Sequence, residues 1–225
     1  MIINDVAGVY INLGEYAKAL EYNDKMRVII EKVLGMNHPD TARIYNNIAI
    51  TYNKLGEYAK ALEYCYKARV IIEKVLGVNH PTTATIYNAM ADVYSNLGEY
   101  AKALEYYDKA RVIMEKVLGV DHPDTATLYN DIATMYHKQY NYGKALEYYE
   151  KALSIREKNL GVDHPKTAAT YNYMGELFAT LHNYEKSKEY SQKAYDIYLK
   201  VLGDNHPKTK KTKDLLDKVS QKLNN

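Results

Sequence analysis

The chain has 225 residues, is 47% hydrophobic and 26% charged, and carries a net charge of +2. That is the composition of an ordinary soluble protein, too near neutrality for a nucleic-acid binder held by phosphate contacts. No apolar run approaches 18 residues, which argues against a membrane span, and one cysteine, Cys65, rules out an internal disulfide and suits a reducing, cytoplasmic setting.

From the N-terminus, Met1-Ile2-Ile3-Asn4-Asp5 lacks the basic and long apolar stretches of a secretory leader. The chain opens inside a helix, since Asn4-Asp5-Val6-Ala7 matches Asn46-Asn47-Ile48-Ala49. The segment Leu34-Gly35-Met36-Asn37-His38-Pro39 then returns every 42 residues, ending at Pro81, Pro123, Pro165 and Pro207. A strict period of this length means a stack of like supersecondary units sharing one continuous core. It divides the chain at 1–39, 40–81, 82–123, 124–165 and 166–207, with a last segment over 208–225.

Residues 82–123 serve for each unit. Tyr87, Met90, Ala91 and Tyr94 stand at i, i+3, i+4 and i+7, one face of a helix running to about Leu97. Ile86, Val93 and Leu97 form a second stripe, as a helix packed between neighbours requires. Asn79 or His80 supplies its cap and Pro81 its first turn. Gly98 permits a positive φ at its end. A second helix follows from Tyr100 to about Leu118, with Tyr100, Ala103, Leu104, Tyr107, Ala110, Met114, Val117 and Leu118 as its apolar face. Gly119 and the apolar Val120 predict a Schellman-type end. Ala91, Ala103, Ala110 and their counterparts predict helix axes at the short end of 8–10 Å.

Departures are local. Repeat four has Tyr140-Asn141 in place of Gly-Glu, with Gly143 displaced, and repeat five has His182-Asn183 there and Ser191 in place of a tyrosine. Residues 208–225 carry six lysines against Asp214 and Asp217, with Leu215, Leu216, Val219 and Leu223 on one stripe: a solvating cap helix.

The series Tyr87, Met90, Ala91, Tyr94, Gly98, Tyr100, Ala103, Tyr107, Ala110 resembles the tetratricopeptide repeat. The usual unit has about 34 residues; here the second helix is longer, and that form resembles the repeats of kinesin light chain and related signalling proteins. About 30 of 42 positions agree between residues 40–81 and 82–123. The resemblance implies an all-α, right-handed superhelical solenoid of antiparallel helix pairs, five pairs plus a C-terminal capping helix, with first helices lining a concave groove.

Candidate chemistry is sparse. Equivalent loop histidines of successive repeats lie at least a helix spacing apart, whereas two ligands of one zinc each sit about 2 Å from the metal, so local capping is expected and no metal or cofactor. Cys65 stands where sister repeats have Tyr107 and Tyr149, a buried and inert place. No non-repeating polar cluster stands out, which argues against an enzyme.

The strongest signal is an asparagine ladder, Asn4, Asn46, Asn88, Asn130 and Asn172, one residue past the core seam and so about 100° from it. The resemblance implies that this position faces the groove and holds the backbone of an extended peptide; a carboxamide both donates and accepts. One turn on, Ile50, Asp92, Thr134 and Glu176 vary between repeats, as do Asn53, Lys54, Ser95, Asn96, His137 and Lys138 nearby, and these would set side-chain preference. The expected partner is a protein or peptide, with Asn46, Asn88, Asp92, Asn130, Thr134, His137, Asn172 and Glu176 as the binding residues. The second reading is a self-associating array, stacked end to end or paired through Ile2, Ile3, Val6 and Tyr10 of the first helix.

Overall fold

A computed structural model of the chain describes the backbone of residues 3–224 and their side chains, except those of Ile3, Asn4, Asp5 and Asn12. The described residues form helices and no strand: α1 (Ile3–Asn12), α2 (Tyr16–Leu34), α3 (Pro39–Lys54), α4 (Tyr58–Val75), α5 (Pro81–Asn96), α6 (Tyr100–Val117), α7 (Pro123–Lys138), α8 (Tyr142–Leu160), α9 (Pro165–Thr180), α10 (Tyr184–Leu202) and α11 (Pro207–Asn224). The chain divides into an N-terminal unit, Met1–Val117, and a C-terminal unit, Leu118–Asn225. Within each, a first helix packs on the second helix that follows it and on the second helix before it, and α11 packs on α10.

The recurring loop carries its own start signal. Nδ1 of His38, His80, His122, His164 and His206 accepts the N–H two residues on, at 3.0–3.2 Å, with proline at N1 or N2 of α3, α5, α7 and α9. This satisfies a donor that the first turn leaves free. The hydroxyls of Thr41, Thr83, Thr125 and Thr167 close the loop by donating to the carbonyls of Gly35, Gly77, Gly119 and Gly161.

The Schellman end lies elsewhere than predicted. It closes the first helices: Glu57 N–H donates to Tyr52 O and Gly56 N–H to Asn53 O, and the pattern recurs at Gly98, Tyr140 and His182. After the second helices the chain leaves through a positive-φ conformation that glycine tolerates, Gly35 at φ 87° and ψ 164°, and Met36, Val78, Val120 and Val162 are 53–63% exposed. Tyr140 and His182 themselves take the positive φ, 61° and 57°, that glycine takes in the sister turns; Gly143 does not take over that role and sits inside α8.

The core seam follows the alanines. Ala49, Ala91, Ala133, Ala61, Ala103, Ala145, Ala68, Ala110 and Ala152 are all fully buried. The predicted face of α6 needs one correction. Tyr106 and Ile113 are buried with Ala103, Tyr107 and Ala110, whereas Val117, the last residue of α6, and Leu118 after it are 47% and 40% exposed. On α11, Leu216 and Val219 are buried together with Thr209 and Thr212.

Candidate functional site

Asn46, Asn88, Asn130 and Asn172 occupy the same turn of α3, α5, α7 and α9; the side chain of Asn4 lies outside the described residues. Asn46, Asn130 and Asn172 are only 7%, 2% and 8% exposed, and Asn88 is half-buried. The position follows the core-facing tyrosine by one residue, and neighbouring first helices also touch, α3 with α5 and α7 with α9. In the C-terminal unit that contact uses the amides. Asn130 Nδ2 donates to Thr170 Oγ1 at 3.4 Å, and Asn172 Oδ1 accepts from Thr212 Oγ1 at 2.8 Å. Asn172 Nδ2 turns to Glu176 at 3.1 Å, and Lys211 of α11 pairs with the same carboxylate at 2.9 Å.

The N-terminal unit is different. Asn46 lines a recess of about 220 Å³ between α3 and α5, with Arg43, Asn47, Thr82, Thr85 and Ile86. Its Oδ1 is buried without a hydrogen-bond partner, as is that of Asn130, and unlike Asn130 it has no hydroxyl across from its Nδ2. Leucine-sized Ile44 and Ile86 stand where the C-terminal unit has Thr170 and Thr212, so no hydroxyl reaches across. Arg43 stands at the rim, 55% exposed in its side chain and paired with Asp40 at 3.3 Å.

The variable residues are anchored from behind by the second helices, a link that sequence reading missed. Tyr107 OH donates to Asp92 Oδ1 at 2.5 Å, and Tyr149 OH bonds Thr134 Oγ1 at 3.1 Å. In repeat two the same two positions hold Cys65 and Ile50, both without charge; burial pushes the Cys65 thiol up to about 12, with Asp92 adding to it. The side chains thus change together, and aligning the two helices of each repeat would have exposed it. His137 is half-buried, its Nε2 3.2 Å from Thr180 Oγ1. Burial pulls its pKa down, and the Glu176 carboxylate opposes this. Asn96 and Asn53 join by an Nδ2–Oδ1 bond of 2.9 Å at the end of the N-terminal unit's face.

Burial raises the Asp92 pKa, against the Tyr107 hydrogen bond and the charge of Lys54. The folded chain therefore holds this proton more tightly than the unfolded chain does. Stability is fullest below the unfolded carboxylate value, falls as pH rises through the raised folded value, and stays lower above it. Asp92→Asn, which keeps an acceptor for Tyr107, is expected to be more stable than the parent near pH 7, with the gap closing towards pH 3. Urea midpoints across that range check this; a gap independent of pH would mean the carboxylate is not desolvated.

A non-repeating polar cluster does exist, contrary to the sequence reading. Arg156 stands where other repeats have Ile30, Ile72, Met114 and Tyr198, and is 4% exposed. Its Nη1 donates to Lys166 O at 2.8 Å and Thr170 Oγ1 at 2.7 Å, and its Nη2 to Thr127 Oγ1 at 3.3 Å. Burial lowers its pKa, and the charge of Asp131 opposes this. Among the described residues no group of three or more His, Cys, Asp or Glu side chains gathers to hold a metal, and no helix is long and apolar enough to cross a membrane.

The tetratricopeptide repeat profile matches residues 1–64, 41–110, 82–158, 128–200 and 166–216. No curated protein matches the chain. Among solved structures, a putative kinesin light chain of Podosopora anserina with nearly identical TPR-like repeats is 22% identical over 89% of this chain and 94% of its own, with a TM-score of 0.73. BtubC of P. vanneervenii is 19% identical over 92% and 81%, at 0.74. Aspartyl phosphate phosphatase F of Bacillus subtilis is 17% identical over 93% of this chain and 52% of its own, at 0.76. At these identities the likeness is one of fold.

Proposed function

We infer the function from one premise: the chain belongs to the tetratricopeptide repeat family, whose arrays serve protein–protein interaction. The chain is a scaffold whose first-helix face takes an extended peptide segment, and the N-terminal unit carries the principal contacts. The observation behind this is Asn46. Its amide is more than nine-tenths buried, lines a polar recess, and has an Oδ1 with no partner. An unsatisfied buried acceptor is costly, by about 1–3 kcal/mol, and a bound peptide N–H relieves it after a small shift of the side chain. Asn88 stands one repeat on, and its side chain makes no hydrogen bond among the described residues. Asn130, whose Oδ1 is likewise unpartnered, commits its Nδ2 to Thr170, and Asn172 gives its Oδ1 to Thr212, so the recess beside Asn46 is what sets the N-terminal unit apart. Ile50, Asp92, Thr134, His137 and Glu176, which differ from repeat to repeat, bias the side chains accepted.

The test is a peptide selected on the intact chain from a random extended-peptide library. Asn46→Ala with Asn88→Ala removes two hydrogen bonds worth about 0.5–1.5 kcal/mol each, so its affinity should fall roughly 5- to 150-fold, with little change in melting. Asn130→Ala with Asn172→Ala should instead lower the melting temperature. An unselectable library, or a selected peptide that binds the first double variant as well as the parent, would sink the reading.

A further inference from the structure

The recess beside Asn46 has a counterpart in the C-terminal unit, and there the chain fills it. Arg43, Thr82 and Ile86 of the recess wall correspond two repeats on to Thr127, Lys166 and Thr170. Among these three lies the guanidinium of Arg156, donating to the Lys166 carbonyl and to the hydroxyls of Thr170 and Thr127 at 2.7–3.3 Å. A planar group bearing N–H donors is thus what this place between two first helices accepts. In the N-terminal unit α4 has Ile72 at the position of Arg156. Ile72 is fully buried, and about 220 Å³ stays open.

Two exchanges change what can enter. Asp131, whose charge favours the guanidinium, is Asn47 here, and Thr127 is Arg43. A second cation would meet a guanidinium in place of a carboxylate, so the occupant is not cationic. The wall is otherwise committed: Arg43 pairs with Asp40 at 3.3 Å, and Thr85 Oγ1 donates to Pro81 O at 3.3 Å. Asn46 is the exception. It is 7% exposed, its Oδ1 is buried without a partner, and its Nδ2 makes no hydrogen bond among the described residues. An occupant must offer this amide a donor and an acceptor together. A carboxylate only accepts and an ammonium only donates. A hydroxyl does both, but through a single atom. A primary carboxamide carries an N–H on the same side as its carbonyl oxygen, so it pairs with another carboxamide through two hydrogen bonds at once. The last torsion of an asparagine side chain is broad, and Asn46 can turn to meet it.

We propose that the recess is a specificity pocket for the side-chain carboxamide of a glutamine in the bound peptide. This rests on the peptide reading and names the group that reaches Asn46. The recess holds about seven liquid-water volumes, room for a glutamine side chain. Arg43 stands at the rim with its side chain 55% exposed, and the longer of the two natural carboxamides reaches past it to Asn46. The free lone pair of the glutamine oxygen then lies towards the Arg43 guanidinium.

The experiment titrates the full chain with the N-acetyl methylamides of glutamine, glutamate, arginine and methionine, which share one backbone. The readout is the side-chain amide signal of Asn46 in nitrogen–proton correlation spectra. The glutamine probe should shift it saturably and bind roughly tenfold or more tighter than the other three, as loss of a paired amide contact requires. Asn46→Ala, followed through backbone signals, should abolish the preference with unchanged melting, and Asn88→Ala should keep it. Arg43→Met, an exposed change, should narrow the gap between the arginine and glutamine probes. No shift by the glutamine probe into the tens of millimolar overturns the pocket. So does a preference that survives Asn46→Ala, or an unchanged gap in Arg43→Met. Four probes that bind alike, all weakened by Asn46→Ala, would mean that Asn46 holds backbone: the pocket falls and the peptide reading stands.

Discussion

Arg156→Ala is expected to cost about 3–5 kcal/mol, because it leaves the Lys166 carbonyl and the Thr127 and Thr170 hydroxyls without their buried donor and opens a cavity. Arg156 ties three helices of its unit together, reaching from α8 to Thr127 on α7 and to Lys166 and Thr170 on α9. Thr170 Oγ1 also takes the amide of Asn130, so the loss spreads to the asparagine. The informative comparison is Arg156→Met with Asp131→Ala, which installs the residues repeat three has at Met114 and Ala89. Replacing a buried charge, together with the nearby carboxylate whose field favours it, by packed apolar groups is often neutral or stabilising by about 1–4 kcal/mol. Thr170 can then donate to the Lys166 carbonyl one turn back. Denaturant titration of both variants decides the matter. Similar losses in the two would mean that Arg156 acts by filling volume rather than by its charge and hydrogen bonds.

Ala103→Leu should cost at least about 1–3 kcal/mol, the range for overpacking a filled core, while Lys102→Leu beside it should stay within about 0.5 kcal/mol. Ala103 on α6 is 0% exposed, as is Ala91 on the facing α5. The tightness of this seam is visible in repeat five, where Gly175 replaces the alanine and an added Cβ would collide with Ser191 Oγ. Lys102 has a side chain 57% exposed and loses only a surface pair with Glu99 and a contact over the Tyr94 ring at 5.3 Å. Such exposed pairs are worth about 0–1 kcal/mol. Equal losses in urea would place the faces of α6 wrongly.

Helix identity, helix limits and the hairpin repeat were legible in the linear chain because the signals are short-range. A histidine two residues before the N–H it caps, a proline in the first turn, and alanines and tyrosines at helical spacing all act within about one or two turns. Five copies of the same pattern made the period unmistakable. Even so, the placing of the Schellman end went astray. The Gly-Val pair after each second helix has the right composition, but the bonds that define the motif form at the first-helix ends, where the chain turns back on itself.

The sequence by itself determined the all-helical repeat, its loop caps, and the alanine seam that lets paired helices approach. Only the tertiary structure decided which amides were covered, which variable residue had a tyrosine behind it, and which valines stayed exposed. Asn46 and Asn130 look alike in the chain and both bury an unpartnered Oδ1, yet only Asn130 has a hydroxyl, that of Thr170, to take its Nδ2, where Asn46 meets Ile86. Arg156 stands at the Met114 position of the predicted apolar face, and only the structure shows the hydroxyls on α7 and α9 that satisfy a charge there. The physical reason is that local propensity specifies a helix and its ends, whereas burial of a given flank depends on the chemistry that the neighbouring helix, some forty residues away, brings against it.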